Sequence, residues 1–382
     1  MRIAIIRSSL HKGSGQAVHI QELSQQLIKL GNHVHIFSRK IENQALSKIG
    51  TELKFPLDSV PFLRHVGFAS KCLATITNYD VVHTQYHPGI IAGNWLHRFK
   101  ELAHVFTYHG FAPIRVWGNP FQKLKMIDHR IGAYFSIRRE LDRIIAVSHF
   151  LKRELINWYH LNPNLITVIH NGVDLERFNS NVKGGKVREM YSLGDAPLVT
   201  FIGRLEPYKG PQFLLEAIPR VLQEVPSTRF MFVGQARFDM PRLSDMLRNQ
   251  KIRKAVVFTG YVDDELLPSF YASCDVFCYP SLWEGFGLTP AEAQAAGKPV
   301  VAFKTCALPE VVQDGVTGLL VPSRDSSSLA KAIVRLLRDT ELRKRMGTQA
   351  GIDAKRKFSW ENAARNTIAV YKEALEVHKL HR

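Results

Sequence analysis

Short apolar runs alternate with longer amphipathic stretches along the whole chain. In the first half, Arg2–Arg7, His33–Phe37, Val81–Gln85, His104–His109, Arg143–Ser148 and Leu165–His170 read as strands, because each is brief, rich in β-branched residues and bounded by polar or turn residues. Between them Gln16–Leu30, Asn119–Arg138 and Phe150–Tyr159 repeat their apolar residues at helical spacing. The segment Asn179–Lys186, rich in Asn, Gly and Lys, reads as a linker. A second series follows it, with strands at Leu198–Ile202, Phe230–Val233, Val256–Thr259, Val276–Tyr279 and Pro299–Phe303, again separated by helical patterns. Such alternation predicts parallel sheets covered by helices on both faces. The fold class is therefore α/β, with two doubly wound, Rossmann-like domains facing each other across a cleft, over residues 1–180 and 187–358. The last stretch, 359–382, holds one amphipathic helix, Trp360–Leu380, which is expected to pack back on the first domain.

Composition narrows the class. The chain has 382 residues, 45% hydrophobic and 22% charged, enough for two cores and unlike a disordered chain, a coiled coil or a small disulfide scaffold. Four cysteines (Cys72, Cys274, Cys278, Cys306) are too scattered for a disulfide framework or a zinc site, so a reducing, cytoplasmic setting is expected. No run approaches the about 18 apolar residues of a membrane span. The opening MRIAIIRSSL is broken by Arg7 and reads as a buried strand, not a secretory signal. Fifty-one Lys and Arg against 34 Asp and Glu give a net charge of +17, a field that draws polyanions. The basic residues neither run in blocks nor interleave with aromatics, and no DNA- or RNA-binding signature occurs, so nucleic acid is not an expected partner. Anionic lipid at the inner face of a membrane and phosphorylated glycans remain.

In open parallel sheets, ligands bind where strands end and helices begin. Three such places carry chemistry. His11–Gly15 (HKGSG) follows the first strand, but Val18 stands where a dinucleotide fingerprint needs its third glycine, so a tight turn and a ligand loop are both open. Gly203–Gly210 (GRLEPYKG) follows LVTFI, and its Arg204 and Lys209 either clamp a diphosphate or stand as solvated charges. Glu284–Glu292 (EGFGLTPAE) follows DVFCYPS, and Gly285 and Gly287 there expose N–H groups at the start of a helix running from about Leu288 to Ala296. Glu284 is expected at the loop rim, where it accepts from sugar hydroxyls, and Glu292 inside the helix, where it accepts from a ribose; a capping acid and an exposed helix residue are the plain alternatives. His109, in TYHG, taken alone is an ordinary strand-end histidine.

Taken in order, Gly13–Gly15, Val147–Ser148 with the helix after it, Ile169–Asp174 (IHNGVD), Gly203–Gly210, Tyr279–Glu292 and Leu308–Gly318 (LPEVVQDGVTG) span nearly the whole chain. Together they resemble the retaining glycosyltransferases of family 4, which have the GT-B fold. The resemblance implies that Arg204 and Lys209, in the loop opened by Gly203, neutralise the leaving diphosphate of a nucleotide-sugar donor. It implies that Glu284 holds the transferred sugar, that Glu292 binds the ribose, and that the backbone of Phe286, Gly287 and Leu288 contacts sugar and phosphate. Gly260, Tyr261 and Val262 then lie beside the nucleobase, Gly15 approaches the donor phosphate, and His109 stands near the reacting centre.

The implied activity is hexosyl transfer with retention to a glycolipid or glycan acceptor on the first domain, in lipopolysaccharide, glycolipid or exopolysaccharide synthesis. A sugar-nucleotide epimerase or phosphorylase on the same architecture is the alternative. No cofactor or metal is expected, since no Asp-x-Asp motif occurs. Leu96–Ala103 and Phe121–Arg139 mix basic and apolar residues, as a helix resting on an anionic membrane does. One departure from the family pattern is Lys304–Glu310 (KTCALPE), where Cys306, Ala307 and Leu308 replace the usual glycines and reshape the sugar side of the pocket.

Overall fold

The computed structural model describes residues 1–11, 14–55, 61–116, 120–235 and 249–380. Gly13 in the first loop and Asn119 lie outside the described residues. The chain forms two units. The first comprises Met1–Phe111, Asn119–Gly172 and Trp360–Arg382; the second comprises Ala112–Gly118 and Val173–Ser359.

The first unit holds seven parallel strands in the order β3-β2-β1-β4-β5-β6-β7. They are β1 (Arg2–Arg7), β2 (His33–Ser38), β3 (Gly50–Glu52), β4 (Val81–Gln85), β5 (Ala103–Tyr108), β6 (Arg143–Ala146) and β7 (Ile166–Val168). The helices are α1 (Gly15–Lys29), α2 (Gln44–Ser47), α3 (Pro61–Thr75), α4 (Gly89–Lys100), α5 (Pro120–Ile137) and α6 (His149–Tyr159). Every residue of β4 and β5 is buried, which is why these strands read as continuous runs and not as alternating ones. Ser14 and Ser148 start α1 and α6 by accepting from the N–H groups of Ala17 and Leu151. The C-terminal helix, Trp360–Leu380, belongs to this unit. Its buried residues, Trp360, Ala363, Ala364, Thr367, Val370, Tyr371 and Ala374, form one stripe that packs on α1, β5 and β6.

The second unit holds six parallel strands in the order β10-β9-β8-β11-β12-β13. They are β8 (Leu198–Ile202), β9 (Arg229–Val233), β10 (Val256–Gly260), β11 (Val276–Tyr279), β12 (Val300–Phe303) and β13 (Gly318–Val321). Around them lie α7 (Gly185–Met190), α8 (Pro211–Glu224), α9 (Gln250–Ala255), α10 (Leu267–Ser273), α11 (Leu288–Ala295), α12 (Leu308–Val311), α13 (Ser326–Arg338) and α14 (Thr340–Lys357). The short piece Ala112–Gly118 joins this unit because Ala112 and Val116 pack with Tyr208, Leu282 and Trp283.

Each sheet starts in its middle, winds to one edge and returns to the other side of its first strand. The winding direction therefore reverses between β1 and β4 in one sheet and between β8 and β11 in the other. At such a reversal the loops leaving the two strands turn to opposite faces and leave a crevice. The structure also adds an edge strand to each sheet. β3 is three residues of half-buried or exposed GTE, with no apolar run to announce it, and β13 (GLLV) is four residues that begin at the last glycine of the LPEVVQDGVTG motif. Among the described residues, no helix is long and apolar enough to cross a membrane.

Candidate active site

The loops leaving β8 and β11 meet at the reversal of the second sheet. β8 is buried at all five residues, and Gly203, directly after it, still bonds Val233 O on β9 through its N–H at 2.9 Å. Arg204 follows, then a single 3-10 turn at Pro207–Lys209, then Gly210 at φ 77° before α8. A Cβ on Gly210 would stand 1.8 Å from Pro280 O, so only glycine lets this turn lie against the end of β11. Tyr208 O sews the loops together, accepting from Leu282 N at 2.7 Å and from Ser281 Oγ at 3.1 Å.

That stitching brings the predicted charges side by side. Lys209 Nζ donates to Glu284 Oε1 at 2.6 Å, and Tyr279 OH donates to the same oxygen at 2.8 Å. The Lys209 ammonium also lies over the Tyr208 ring at 5.1 Å and the Tyr279 ring at 5.7 Å. Arg204 donates to Glu206 Oε1 at 3.0 Å and to Tyr208 OH at 2.6 Å. Glu284 is not at the rim as its position in the loop led one to expect: it is 7% exposed, drawn inward by the lysine and the tyrosine. Sequence reasoning passed over Glu206, Tyr208 and Tyr279. Glu206, 2% exposed, fixes Arg204, and the two tyrosines wall in Lys209. An acid two residues beyond the arginine was the one local signal for any of them.

Beyond Glu284 the chain passes through Phe286, 3% exposed and edge-on to Phe358 at 5.5 Å, to Gly287 at φ 109°. α11 begins at Leu288 with no side-chain cap and no acid in its first turn, so its leading N–H groups and positive dipole end are left for a ligand. Glu292 has a different set of neighbours from Glu284. It accepts from Tyr271 OH at 2.6 Å, and burial pushes its carboxyl up to about 7, with Tyr271 and Arg177 pulling the other way. Gly260, Tyr261 and Val262 stand at the carboxyl end of the edge strand β10, two strands from β8; Gly260 has φ 70° and Tyr261 is 51% exposed. Cys306, at the family's glycine position, takes φ 51°: a side chain set on glycine-like backbone.

Two predicted residues lie in the first unit. Gly15 is the exposed first residue of α1. His109 follows β5, its Nε2 2.9 Å from Gln85 Oε1 and its ring edge-on to His19 at 4.7 Å. Burial, helped by His19 and Arg7, lowers the His109 pKa well below the usual histidine value, so the ring is neutral at pH 7.

Residues 187–352 match the family described as glycosyl transferases group 1, and residues 13–177 match glycosyltransferase family 4. A D-inositol 3-phosphate glycosyltransferase of Streptomyces bingchenggensis is 30% identical over 425 aligned residues, covering 99% of this chain and 90% of that one. This chain belongs to the family 4 glycosyltransferases. Its fold is that of sucrose-phosphate synthase from Thermosynechococcus elongatus (TM-score 0.81, 24% identity, 97% of this chain and 98% of that one). It is also that of Anabaena HepE in complex with UDP-glucose (TM-score 0.80, 22% identity, 96% and 98%). In this glycosyltransferase the reversal of the second sheet therefore gathers two fixed cations, a buried carboxylate and an open helix start within one pair of loops.

Proposed function

We propose that this glycosyltransferase moves a hexosyl group, with retention and without a metal, from a nucleotide-diphosphate sugar on its second unit to a hydroxyl of a glycan or glycolipid acceptor on its first. The observation that carries this reading is the Lys209–Glu284 pair, 2.6 Å apart, beside Arg204 and the start of α11. As the sugar–phosphate bond breaks, negative charge gathers on the departing diphosphate and positive charge on the sugar. Arg204, Lys209 and the α11 N–H groups are in place before that charge develops, and each such donor contributes on the order of 3 kcal/mol to the transition state. They also occupy the role a divalent cation plays elsewhere, in keeping with the missing Asp-x-Asp motif.

A departing phosphate oxygen then takes the proton of the acceptor hydroxyl, and the new bond forms on the face the leaving group vacated. Glu284 accepts from the transferred sugar and Glu292 from the ribose. Phe286, Gly287 and Leu288 present backbone to sugar and phosphate, Gly203 leaves room for the phosphate loop, Gly260–Val262 flank the base, and Gly15 approaches the phosphate. A neutral His109 serves as a hydrogen-bonding group at the sugar and not as a general acid, since its ring lacks the second, acidic proton at pH 7.

The acceptor reading, in lipopolysaccharide, glycolipid or exopolysaccharide synthesis, is supported by one face of α5. Leu124, Ile127, Ile131 and Phe135 lie along it at 66%, 38%, 55% and 62% exposure, and Trp158 of α6 adds 67%. Ile131, Phe135 and Trp158 also line a cavity of about 280 Å³. Lys123, Arg138 and Arg139 accompany this stripe, and the net charge is +17, so the complementary partner is an anionic membrane surface.

The test is a turnover assay with UDP-, GDP- and ADP-sugars in EDTA, with acceptor lipid extracts, reading nucleoside diphosphate release and product anomer by NMR. Retained anomeric configuration and a kcat about 100-fold lower in Lys209→Ala support the proposal. Unchanged turnover in Lys209→Ala and Arg204→Ala overturns it. The membrane step is read separately: Ile131→Glu with Phe135→Glu should release the protein from phosphatidylglycerol vesicles, and retained binding rejects this face.

A further inference from the structure

The first sheet has its own reversal, between β1 and β4, and the donor roles of Gly15 and His109 leave Arg7, at its centre, without a task. Arg7, the last residue of β1, is 9% exposed. Its guanidinium donates to Ser9 O at 3.1 Å and to Gln85 O at 3.4 Å and lies over the Tyr86 ring at 5.0 Å. Among the described residues no carboxylate pairs with it. Burial draws its pKa down to about 10, which leaves it positive at pH 7. A buried cation with only dipoles for company is expensive in a fold, and proteins keep such groups where a ligand brings the missing charge.

The groups around Arg7 are unfinished as well. Gln85, the last residue of β4, is fully buried; its side-chain oxygen faces His109, and its Nε2 has no partner among the described residues. His19, 6% exposed, spends Nδ1 on Asn171 at 2.9 Å and leaves Nε2 without a partner. Because Asn171 Oδ1 accepts from Nδ1, the bare Nε2 of this neutral ring is an acceptor and suits a hydroxyl. Tyr86, next in the chain, holds φ 69°, a left-handed backbone at a bulky residue. Arg7 lies close enough to His19 and His109 to shift both. One reversal of the sheet thus offers an uncompensated guanidinium, a free amide N–H₂ and a hydroxyl acceptor.

We infer that Arg7 and Gln85 form an anion subsite in the first unit, and that the acceptor of this glycosyltransferase carries a phosphate or phosphodiester there, with a hydroxyl reaching His19. The inference rests on the transferase reading above and adds the chemical class of the acceptor. The Gln85 N–H₂ and the Arg7 guanidinium bind phosphate oxygens as charge-assisted donors, and a neutral sugar leaves both unmet.

The experiment is calorimetric titration of the full chain with D-glucose 6-phosphate and with D-glucose, and sedimentation with vesicles of phosphatidylcholine with and without phosphatidylglycerol. Nucleoside diphosphate binding is measured alongside, so failure of the donor reading shows up on its own. Expected is binding of glucose 6-phosphate over glucose by at least tenfold, weakened tenfold by Arg7→Lys, lost in Arg7→Gln, and unchanged within twofold in Lys209→Ala. Vesicle binding that needs both phosphatidylglycerol and Arg7, without glucose 6-phosphate binding, supports the subsite and assigns its phosphate to a lipid headgroup. Glucose 6-phosphate binding that survives Arg7→Gln, or that vanishes in Lys209→Ala, overturns the inference. Should the Arg7 variants not fold, equal affinity of the unaltered protein for glucose and its 6-phosphate, with no preference for phosphatidylglycerol in the protein carrying Ile131→Glu and Phe135→Glu, overturns it too.

Discussion

Glu292 titrates in the physiological range because burial disfavours its charged form, with a folded-state value of about 7 against about 4.5 in the open chain. The raised value means that the native state binds the extra proton. Below about pH 4.5 both states hold it and the residue is neutral in effect; as pH rises to 7 the buried carboxylate increasingly opposes folding, by up to on the order of 3 kcal/mol. Glu292→Gln keeps an acceptor for Tyr271 and removes that charge. Its unfolding free energy should exceed that of the unaltered protein at pH 8 and match it at pH 4.5, as measured by urea titration; equal differences at both pH values would place the carboxyl in solvent. Lys209 gives a second separation. Lys209→Ala leaves Glu284 buried without its cation and should cost about 3 kcal/mol of stability and most of the activity. Adding Glu284→Gln should restore stability and leave turnover low, which unfolding and kinetics on the double variant check. At this scale the charged residues were legible in the sequence, because glycines and strand ends announce them. Their partners were not: nothing near Glu284 in sequence says that its carboxylate meets a lysine 75 positions upstream, and the burial of Glu284 follows from that meeting and from the Tyr279 hydroxyl that shares the same oxygen.

At the scale of elements, the turn from β8 to α8 sets the geometry of the site. Cys306 shows that this protein tolerates a side chain on left-handed backbone, at φ 51°. Gly210, at φ 77°, differs in that a Cβ would lie 1.8 Å from Pro280 O, backbone that is itself tied to the loop carrying Glu284. Gly210→Ala therefore meets both the conformational cost of about 1–2 kcal/mol and a collision that only a shift of the loop relieves. A loss on the order of 3 kcal/mol in urea unfolding is expected, with a larger fractional loss in kcat than Cys306→Gly produces. An alanine variant of native stability would show that the loops are less tightly joined. Most elements were legible from periodicity, since buried parallel strands and amphipathic helices differ in run length. The edge strands β3 and β13 were not: β3 is half-buried or exposed throughout, and β13, though mostly buried, is only four residues long, too short a run to show a period.

At the scale of the molecule, the alternation of strands and helices made two doubly wound units readable. The C-terminal helix is the part whose place depends on tertiary packing: last in the chain, it completes the first unit. Tyr371 on it bonds His83 Nδ1 at 2.7 Å, and His83 Nε2 meets Thr107 Oγ1 at 2.7 Å. Burial lowers the His83 pKa to about 3, so the ring stays neutral and relies on these two partners. Tyr371→Phe strands one ring nitrogen in the core and should cost about 1–3 kcal/mol, borne by the first unit. A nucleoside diphosphate held by Lys209 and Arg204 stabilises the second, by about 2.7 kcal/mol at a hundredfold excess over its Kd. Scanning calorimetry should therefore resolve two transitions, one lowered by Tyr371→Phe and indifferent to nucleotide, the other raised by nucleotide and indifferent to the substitution. A nucleotide that raises the transition weakened by Tyr371→Phe, and leaves the other in place, would move the donor site out of the second unit and undo the assignment of Arg204, Lys209 and Glu284.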